Sequence, residues 1–467
     1  MTQATIAPVQ DGMDWDLEVD VLVVGAGACG LAAAIAAHDA GATVAIVEKR
    51  DRPGGNSSLS TGSIPGAGSR FQREAGIADS ADVMLADLLR VAGEGEAPRL
   101  VRRMAGISAE LCEWLVDSVG ARMTLITDYC HVGHTVPRLH APASRRGQDL
   151  VDDLLAAVDR RGIPLATGNP VRTLYRDAAG AIVGAQIAGE QVESSRIRSR
   201  ATILATNGFA ADADLVARHC GEIAGAEYFG ARGSEGEAVR WGEQLGALLA
   251  NMGAYQGYAA VAYPHGSLLS WTTIEKGGVL VNAQARRFCN EDIGYSAAAR
   301  HVLAQPAPVH AIFDDRVRAI ASKEEEFQEL VDIGGLKQAE TPQALAAGMG
   351  LDPGQLAATL DAYNAAAEGR RRDELGRERF AMAPLRGTLW SCRVTPGLFH
   401  TQGGLAVDDD GRVLRTDGTP IAGLFAGGGA AAGISGSAGA TGYASGNGLL
   451  TAVGLGYLAG KAAARGQ

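Results

Sequence analysis

The run Asp20-Val-Leu-Val-Val-Gly-Ala-Gly-Ala-Cys-Gly30 permits few structures. The unbroken apolar stretch Val21 to Val24 reads as a strand buried on both faces, and it breaks into Gly25, Gly27 and Gly30 before an alanine-rich helix, Leu31 to Ala40. This is the pattern of a dinucleotide-binding turn. Gly25 permits the tight turn, Gly27 lets backbone approach a pyrophosphate, and Gly30 lets the helix pack against the strand with its first amides facing the phosphate charge. A second strand, Thr43 to Val47, runs into Glu48, eighteen residues beyond Gly30, where a carboxylate would accept ribose hydroxyls.

Beyond Glu48 the chain continues Lys49-Arg50-Asp51-Arg52-Pro53-Gly54-Gly55-Asn56-Ser57-Ser58, then Ser60-Thr61-Gly62-Ser63, a small polar loop with little side-chain bulk. Here the sequence resembles the FAD-binding domain of the fumarate reductase and succinate dehydrogenase flavoprotein superfamily, whose Gly-Gly-Asn-Ser/Thr loop wraps the FAD pyrophosphate. The resemblance implies FAD rather than NAD. It assigns Lys49, Gly55, Asn56, Ser57, Thr61 and Gly62 to the cofactor beside Gly25, Gly27, Gly30 and Glu48. No histidine stands in the loop to anchor a flavin, so the FAD is expected to be non-covalent.

Composition narrows the class. A chain of 467 residues exceeds one ordinary core, so two domains are expected. The net charge of -11 excludes a nucleic-acid partner on electrostatic grounds. Met1 to Asp16 carries no export signal and the apolar run from Gly448 to Gly460 is too short to span a bilayer, so a cytoplasmic protein without a membrane span is expected. The six cysteines are scattered with no Cys-x-x-Cys, and the histidines between Asp128 and Gln148 lack a ligand partner at metal spacing, so no metal is expected.

The resemblance extends from Val19 to the C-terminus. Val171, heading the β-rich segment Val171 to Arg176 and Ile182 to Ile187, falls where relatives touch adenine. The run Ala201 to Phe209 resembles the strand that returns beneath the FAD, with Asn207 near its end, and Gly233 to Glu237 resembles a Thr-Gly-Asp-Gly turn with Glu235 in place of Asp. Gly423 to Gly428 and the helix start Ser445-Gly446-Asn447-Gly448-Leu449 complete the cofactor set through Gly428, Gly446, Asn447 and Leu449. Between Tyr258 and Trp390 these signals vanish. The fold expected is α/β: a discontinuous Rossmann-like FAD-binding domain, residues 17–250 and 394–467, with an inserted α+β capping domain, residues 251–393.

Four residues are candidates for chemistry. Arg287, in Arg286-Arg287-Phe288-Cys289-Asn290-Glu291, aligns with the arginine that protonates substrate in fumarate reductases, or else serves a structural ion pair. His400 keeps a family histidine, but the second histidine position falls at Tyr258 and the substrate-clamping arginine is replaced by Tyr443. These exchanges resemble the 3-ketosteroid dehydrogenase branch, in which an accessory tyrosine also lies in the segment around Tyr129. There Tyr443, with the N–H of Gly446 or Asn447, would hold a ketone oxygen as it becomes an enolate. Tyr258, unless it is a packing residue, would take the α proton while flavin N5 takes the β hydride. Arg145, Arg146 and His140 add cationic groups for a carboxylate. The resulting expectation is a dehydrogenase of a cyclic ketone resembling 4-oxocyclohexanecarboxylate, with oxygen, a quinone or a carrier as electron acceptor. The alternatives are a 3-ketosteroid dehydrogenase, a fumarate-reductase-like enzyme that reduces an enone or enoate, and a non-catalytic flavoprotein.

Overall fold

Leu17–Val24 has a parallel strand on each side, as a strand apolar on both faces requires. Val44–Val47 pairs with it in the register Val24↔Val47, Ser195–Leu204 pairs in the register Leu204↔Val24, and Pro420–Ala426 lies beyond in the register Leu204↔Ala426. Four parallel strands therefore end on one row. Open α/β sheets bind their ligands outside the carboxyl ends of such strands.

In this computed structural model, which describes residues 4–128, 130–188 and 194–466, the chain forms two compact units. The first comprises Met1–Gly221, Gly230–Tyr255 and His400–Gln467; the second comprises Glu222–Phe229 and Gln256–Phe399. The boundaries fall inside the strands Gly253–Ala262 and Leu389–Thr401, a few residues beyond the 250/251 and 393/394 read from composition. One short segment, Glu222–Phe229, joins the second unit from outside that range.

The first unit is built on a nine-stranded sheet. Helix Ala28–Asp39 and the C-terminal helix Asn447–Ala464 pack on each other through small residues. A Cβ on Gly456 would stand 2.2 Å from the Cys29 carbonyl oxygen, and one on Gly460 would stand 2.2 Å from that of Ala33. The glycine-rich tail is thus a buried helix that allows two backbones to approach. The same unit holds the helices Ala81–Ala92 and Pro98–Trp114, the latter closing in a π-turn, Leu115–Val119. The polar N-terminus adds an element that composition did not suggest: Thr5–Pro8 forms the sheet edge, parallel to Val171–Arg176.

The second unit is α+β. Val279–Val281, Val309–Asp314 and Leu389–Thr401 form antiparallel neighbours. The helices Pro342–Met349 and Pro353–Ala367 bury Leu345, Leu356, Leu360 and Tyr363 against that sheet's Val279, Val281 and Ile312.

Candidate functional site

At the end of the strand row, Gly25 is left-handed (φ 109°), and a Cβ there would lie 2.3 Å from the Ala205 carbonyl oxygen. A Cβ on Gly30 would lie 1.8 Å from the Gly25 carbonyl oxygen. Packing within the protein accounts for both glycines. Gly27 differs, because no protein atom lies within 3.6 Å of its virtual Cβ. Its bareness suits a ligand rather than a neighbour in the fold.

Around Gly27 the predicted residues converge. Gly54 bridges to Gly27, its N–H donates to the Ala26 carbonyl at 2.9 Å, and the Ala28 N–H donates to Ser57 Oγ at 3.2 Å. Gly55 takes a left-handed φ of 53°, and Asn56 Oδ1 accepts the Ala231 N–H at 2.6 Å. Thr61 and Ser63 hydroxyls bond at 3.0 Å, and the Gly62 N–H donates to Ser60 Oγ at 3.1 Å. Glu48 accepts the N–H groups of Ala26 at 2.7 Å and Arg50 at 2.8 Å. Its carbonyl accepts the Asn169 N–H at 2.8 Å, which brings the buried Val171 to the same end of the site. Lys49 is tied to Glu235 at 3.2 Å and to Glu237 at 2.5 Å. Burial holds the Glu237 carboxyl above its ordinary range despite Lys49.

The remaining residues expected at the cofactor lie on the returning segments. Asn207 (φ 66°) folds its Oδ1 onto the Gly208 N–H at 2.9 Å, leaving no room for a Cβ on Gly429. Gly427 and Gly428 pack on Cys29, whose thiol burial pushes up to about 12, an inert packing group. Asn447 is buried at the start of the C-terminal helix, with Gly446 as its left-handed cap (φ 81°) and Leu449 buried two residues on.

The fit of an FAD to this cradle can be tested on polar atoms. Thr206 Oγ1, Gln402 Nε2 and Asn447 Oδ1 are buried with no hydrogen-bond partner among the described residues. Thr206 follows the strand row, Asn447 opens the C-terminal helix, and Gln402 follows His400. Unpaired buried polar atoms are costly unless a ligand or water meets them. Together with the bare Gly27 and two uncapped helix N-termini, they suit a large polar cofactor. Thr206 and Gln402 were not selected from sequence, and nothing in their spacing distinguishes them.

The candidates for chemistry divide between the units. In the first, the His400 ring Nε2 is 3.6 Å from the virtual Cβ of Gly448, its Nδ1 lies 3.2 Å from the Thr401 carbonyl oxygen, and burial lowers its pKa, so the imidazole is neutral. Tyr443 is half-buried in the loop leading to Gly446. That loop packs on His131 to His134: the Ser445 N–H donates to the Val132 carbonyl at 2.9 Å, and a Cβ on Gly133 would strike Ala444. The segment around Tyr129 therefore abuts the loop that carries Tyr443, although Tyr129 itself lies outside the described residues. Among the expected cations, His140 is fully buried against Ser69 Oγ at 3.0 Å, and burial pushes it down to about 4, so it is a neutral interior residue. Arg146 is exposed. Arg145 is half-buried, left-handed (φ 57°), and without an ion-pair partner among the described residues. Burial first, and the charge of Arg145 second, push His131 down to about 4.

In the second unit the bonding differs from expectation at two residues. The Tyr258 phenol donates to the Leu269 carbonyl at 2.9 Å and accepts the Trp271 N–H at 3.1 Å, and burial first and the charge of Glu326 next raise its pKa. A phenol so bonded and so reluctant to ionise is a packing anchor, which corrects its reading as the base. Arg287 is equally committed. It forms a two-pronged bond to Glu291 at 2.9 and 2.6 Å and pairs with Asp373, its guanidinium lying over the Tyr363 ring. Burial opposes its charge, but the two carboxylates outweigh burial and raise its pKa. This bonding is that of a structural ion pair. Tyr295, not selected from sequence, lies 5.1 Å from Tyr258 ring to ring and opens the helix Tyr295–Leu303; Phe399 stacks on Tyr258 at 5.3 Å.

Residues 20–449 match a family model described as FAD binding domain, and the chain belongs to that family. It is an FAD-dependent oxidoreductase of the group that contains fumarate reductases and ketosteroid dehydrogenases. The NADH:fumarate oxidoreductase of Klebsiella pneumoniae (strain 342) is 32% identical over 89% of this chain and 44% of its own, so the chain spans less than half of that relative. The 4-oxocyclohexanecarboxylate 2-dehydrogenase of Sinomonas cyclohexanicum is 27% identical over 95% of this chain and 92% of its own. Among solved structures, the open conformation of a flavocytochrome c3 fumarate reductase superposes with a TM-score of 0.83 at 27% identity, covering 98% of this chain and 82% of that one. The 3-ketosteroid-delta4-(5alpha)-dehydrogenase from Rhodococcus jostii RHA1 gives 0.79 at 26% identity, covering 98% and 99%. No helix among the described residues is long and apolar enough to cross a membrane.

Proposed function

We propose that the protein desaturates a cyclic ketone beside its carbonyl, on a ring that also carries a carboxylate, as 4-oxocyclohexanecarboxylate does. The observation that carries this reading is the loop Tyr443 to Gly446. It brings a phenol and a backbone N–H, that of Gly446, to the start of one helix, and the Gly446 N–H donates to nothing among the described residues. A ketone oxygen gains negative charge as its α proton leaves, and two fixed donors stabilise it more than the starting ketone. A carboxylate-clamping guanidinium would serve a dicarboxylate instead, and that position is Tyr443.

On this reading a base takes the α proton, and the bonding of the Tyr258 hydroxyl to the Leu269 carbonyl and the Trp271 N–H speaks against that residue. Bound FAD would supply the two-electron acceptor for the β hydrogen, with oxygen, a quinone or a carrier reoxidising it. Neutral His400 lines the same helix start as Tyr443 and orients the ring, and Arg145 meets the carboxylate. Support for this substrate class comes from the Sinomonas relative, which matches over almost its whole length.

A second reading, reduction of an activated double bond, is favoured by the likeness to an NADH:fumarate oxidoreductase. Direction separates the two. Dye reduction by saturated cyclic ketones is expected; oxidation of reduced viologen by fumarate, with no dye reduction by any ketone, would favour the reductase.

A further inference from the structure

The loop that carries Tyr443 is held from behind by a buried polar chain. Arg138 has a fully buried guanidinium, clamped by Asp79 at 2.8 and 3.0 Å and by Asp87 at 2.8 Å. Its Nη1 also lies 3.1 Å from His134 Nδ1. A guanidinium can only donate, so His134 Nδ1 accepts and the ring proton sits on Nε2. That Nε2–H then donates to the Ser445 carbonyl at 2.8 Å. The chain Asp87, Arg138, His134, Ser445 thus has one consistent direction. Around it Thr135 anchors to Asp87 through its N–H at 2.8 Å and its hydroxyl at 2.9 Å, and the Ser445 N–H returns to Val132.

The carbonyl of Ser445 and the N–H of Gly446 belong to one peptide plane and point in opposite directions, because the unit is trans and rigid. Fixing the carbonyl on His134 therefore aims the Gly446 N–H away from His134. We propose that His134 is a positioning residue that locks the Ser445–Gly446 peptide, so that the Gly446 N–H stays directed at the ketone oxygen of the substrate. This rests on the ketone reading given above. Arg138, neutralised by two carboxylates, fixes the tautomer on which the lock depends, and Gly133 lets the two loops touch.

The test uses the FAD-loaded enzyme with three variants, after turnover of a cyclic ketone by the unsubstituted enzyme has been established; absence of any ketone turnover there would overturn the reading, separately from the lock. His134→Gln places an amide N–H near the Nε2 position and an oxygen for Arg138, His134→Asn is too short to reach, and His134→Leu removes both. With FAD content equal, His134→Leu is expected to lose about 10- to 100-fold in kcat with little change in KM, and His134→Gln to recover most of it. Amide hydrogen exchange over residues 443–447 is expected to quicken in His134→Leu and not in His134→Gln. Should His134→Leu fail to fold, the comparison of Gln with Asn carries the test, with Gln about tenfold the faster. Equal kcat in Gln and Asn, or an unchanged kcat in His134→Leu, would overturn the lock, and so would faster exchange without loss of turnover.

Discussion

Gly456 and Cys29 meet backbone to backbone: a Cβ on Gly456 would stand 2.2 Å from the Cys29 carbonyl oxygen. Cys29 lies in the first turn of the helix that follows the dinucleotide turn, and Gly456 lies in the middle of the C-terminal helix whose start bears Gly446 and Asn447. This contact, with that of Gly460 on the Ala33 carbonyl oxygen, therefore sets the spacing of the two helix N-termini assigned to the cofactor.

Gly456→Ala should force the helices apart at a cost of about 1–3 kcal/mol and loosen the FAD. Thermal unfolding with release of flavin fluorescence reads both effects. Gly106→Ala, in an exposed helical position with no atom within 4 Å of the added Cβ, is the control and should be neutral or stabilising by about 0.5–1 kcal/mol.

Asp87 gives the acid side of the stability profile. Burial opposes its charge, but the hydrogen bonds from Thr135, Arg138 and Arg90 bring its pKa down to about 2 from an ordinary 3.8. A carboxylate depressed on folding stabilises the folded state above its unfolded pKa and loses that contribution as pH falls through the folded value. Stability on the order of 2 kcal/mol should therefore disappear between about pH 4 and pH 2. Asp87→Asn should flatten that part of a pH series of melting curves, and an unchanged slope would contradict the assignment.

Tyr443→Phe should keep its FAD and lose about 10²- to 10³-fold in kcat. Tyr258→Phe should act mainly on stability, because its hydroxyl serves the Leu269 carbonyl and Trp271 N–H. Steady-state assays with melting curves on the two variants separate these roles. A kcat loss in Tyr258→Phe as large as that in Tyr443→Phe would restore Tyr258 as the base.

Arg145→Leu should raise KM for a carboxylated cyclic ketone about tenfold or more and leave the uncharged ketone unaffected. Equal effects on both would remove the carboxylate contact.

What could be read from sequence was what depends on short spacings. Gly30 and Glu48 work through neighbours within one strand-turn-helix-strand unit, so their pattern declares them, and Gly25 is declared by the same pattern although the backbone it clears belongs to Ala205. Arg287 could not be resolved in the same way, because Asp373 pairs with it from 86 residues away. The Tyr258 hydroxyl is claimed by two backbone groups that leave no mark in composition. His134 and Arg138, one helical turn apart in number, sit in an irregular segment, and their meaning comes from Ser445, 311 residues on. Thr5–Pro8 was missed because an edge strand does not need an apolar face.

The ketone reading is tested most directly by anaerobic titration of the FAD-loaded enzyme with cyclohexanone, 4-oxocyclohexanecarboxylate, a 3-ketosteroid and succinate, following loss of the flavin absorbance. Bleaching by 4-oxocyclohexanecarboxylate at the lowest concentration, more weakly by cyclohexanone and not by succinate, is the expected result. Bleaching by succinate alone, or silence from every ketone while fumarate reoxidises chemically reduced flavin, would contradict it.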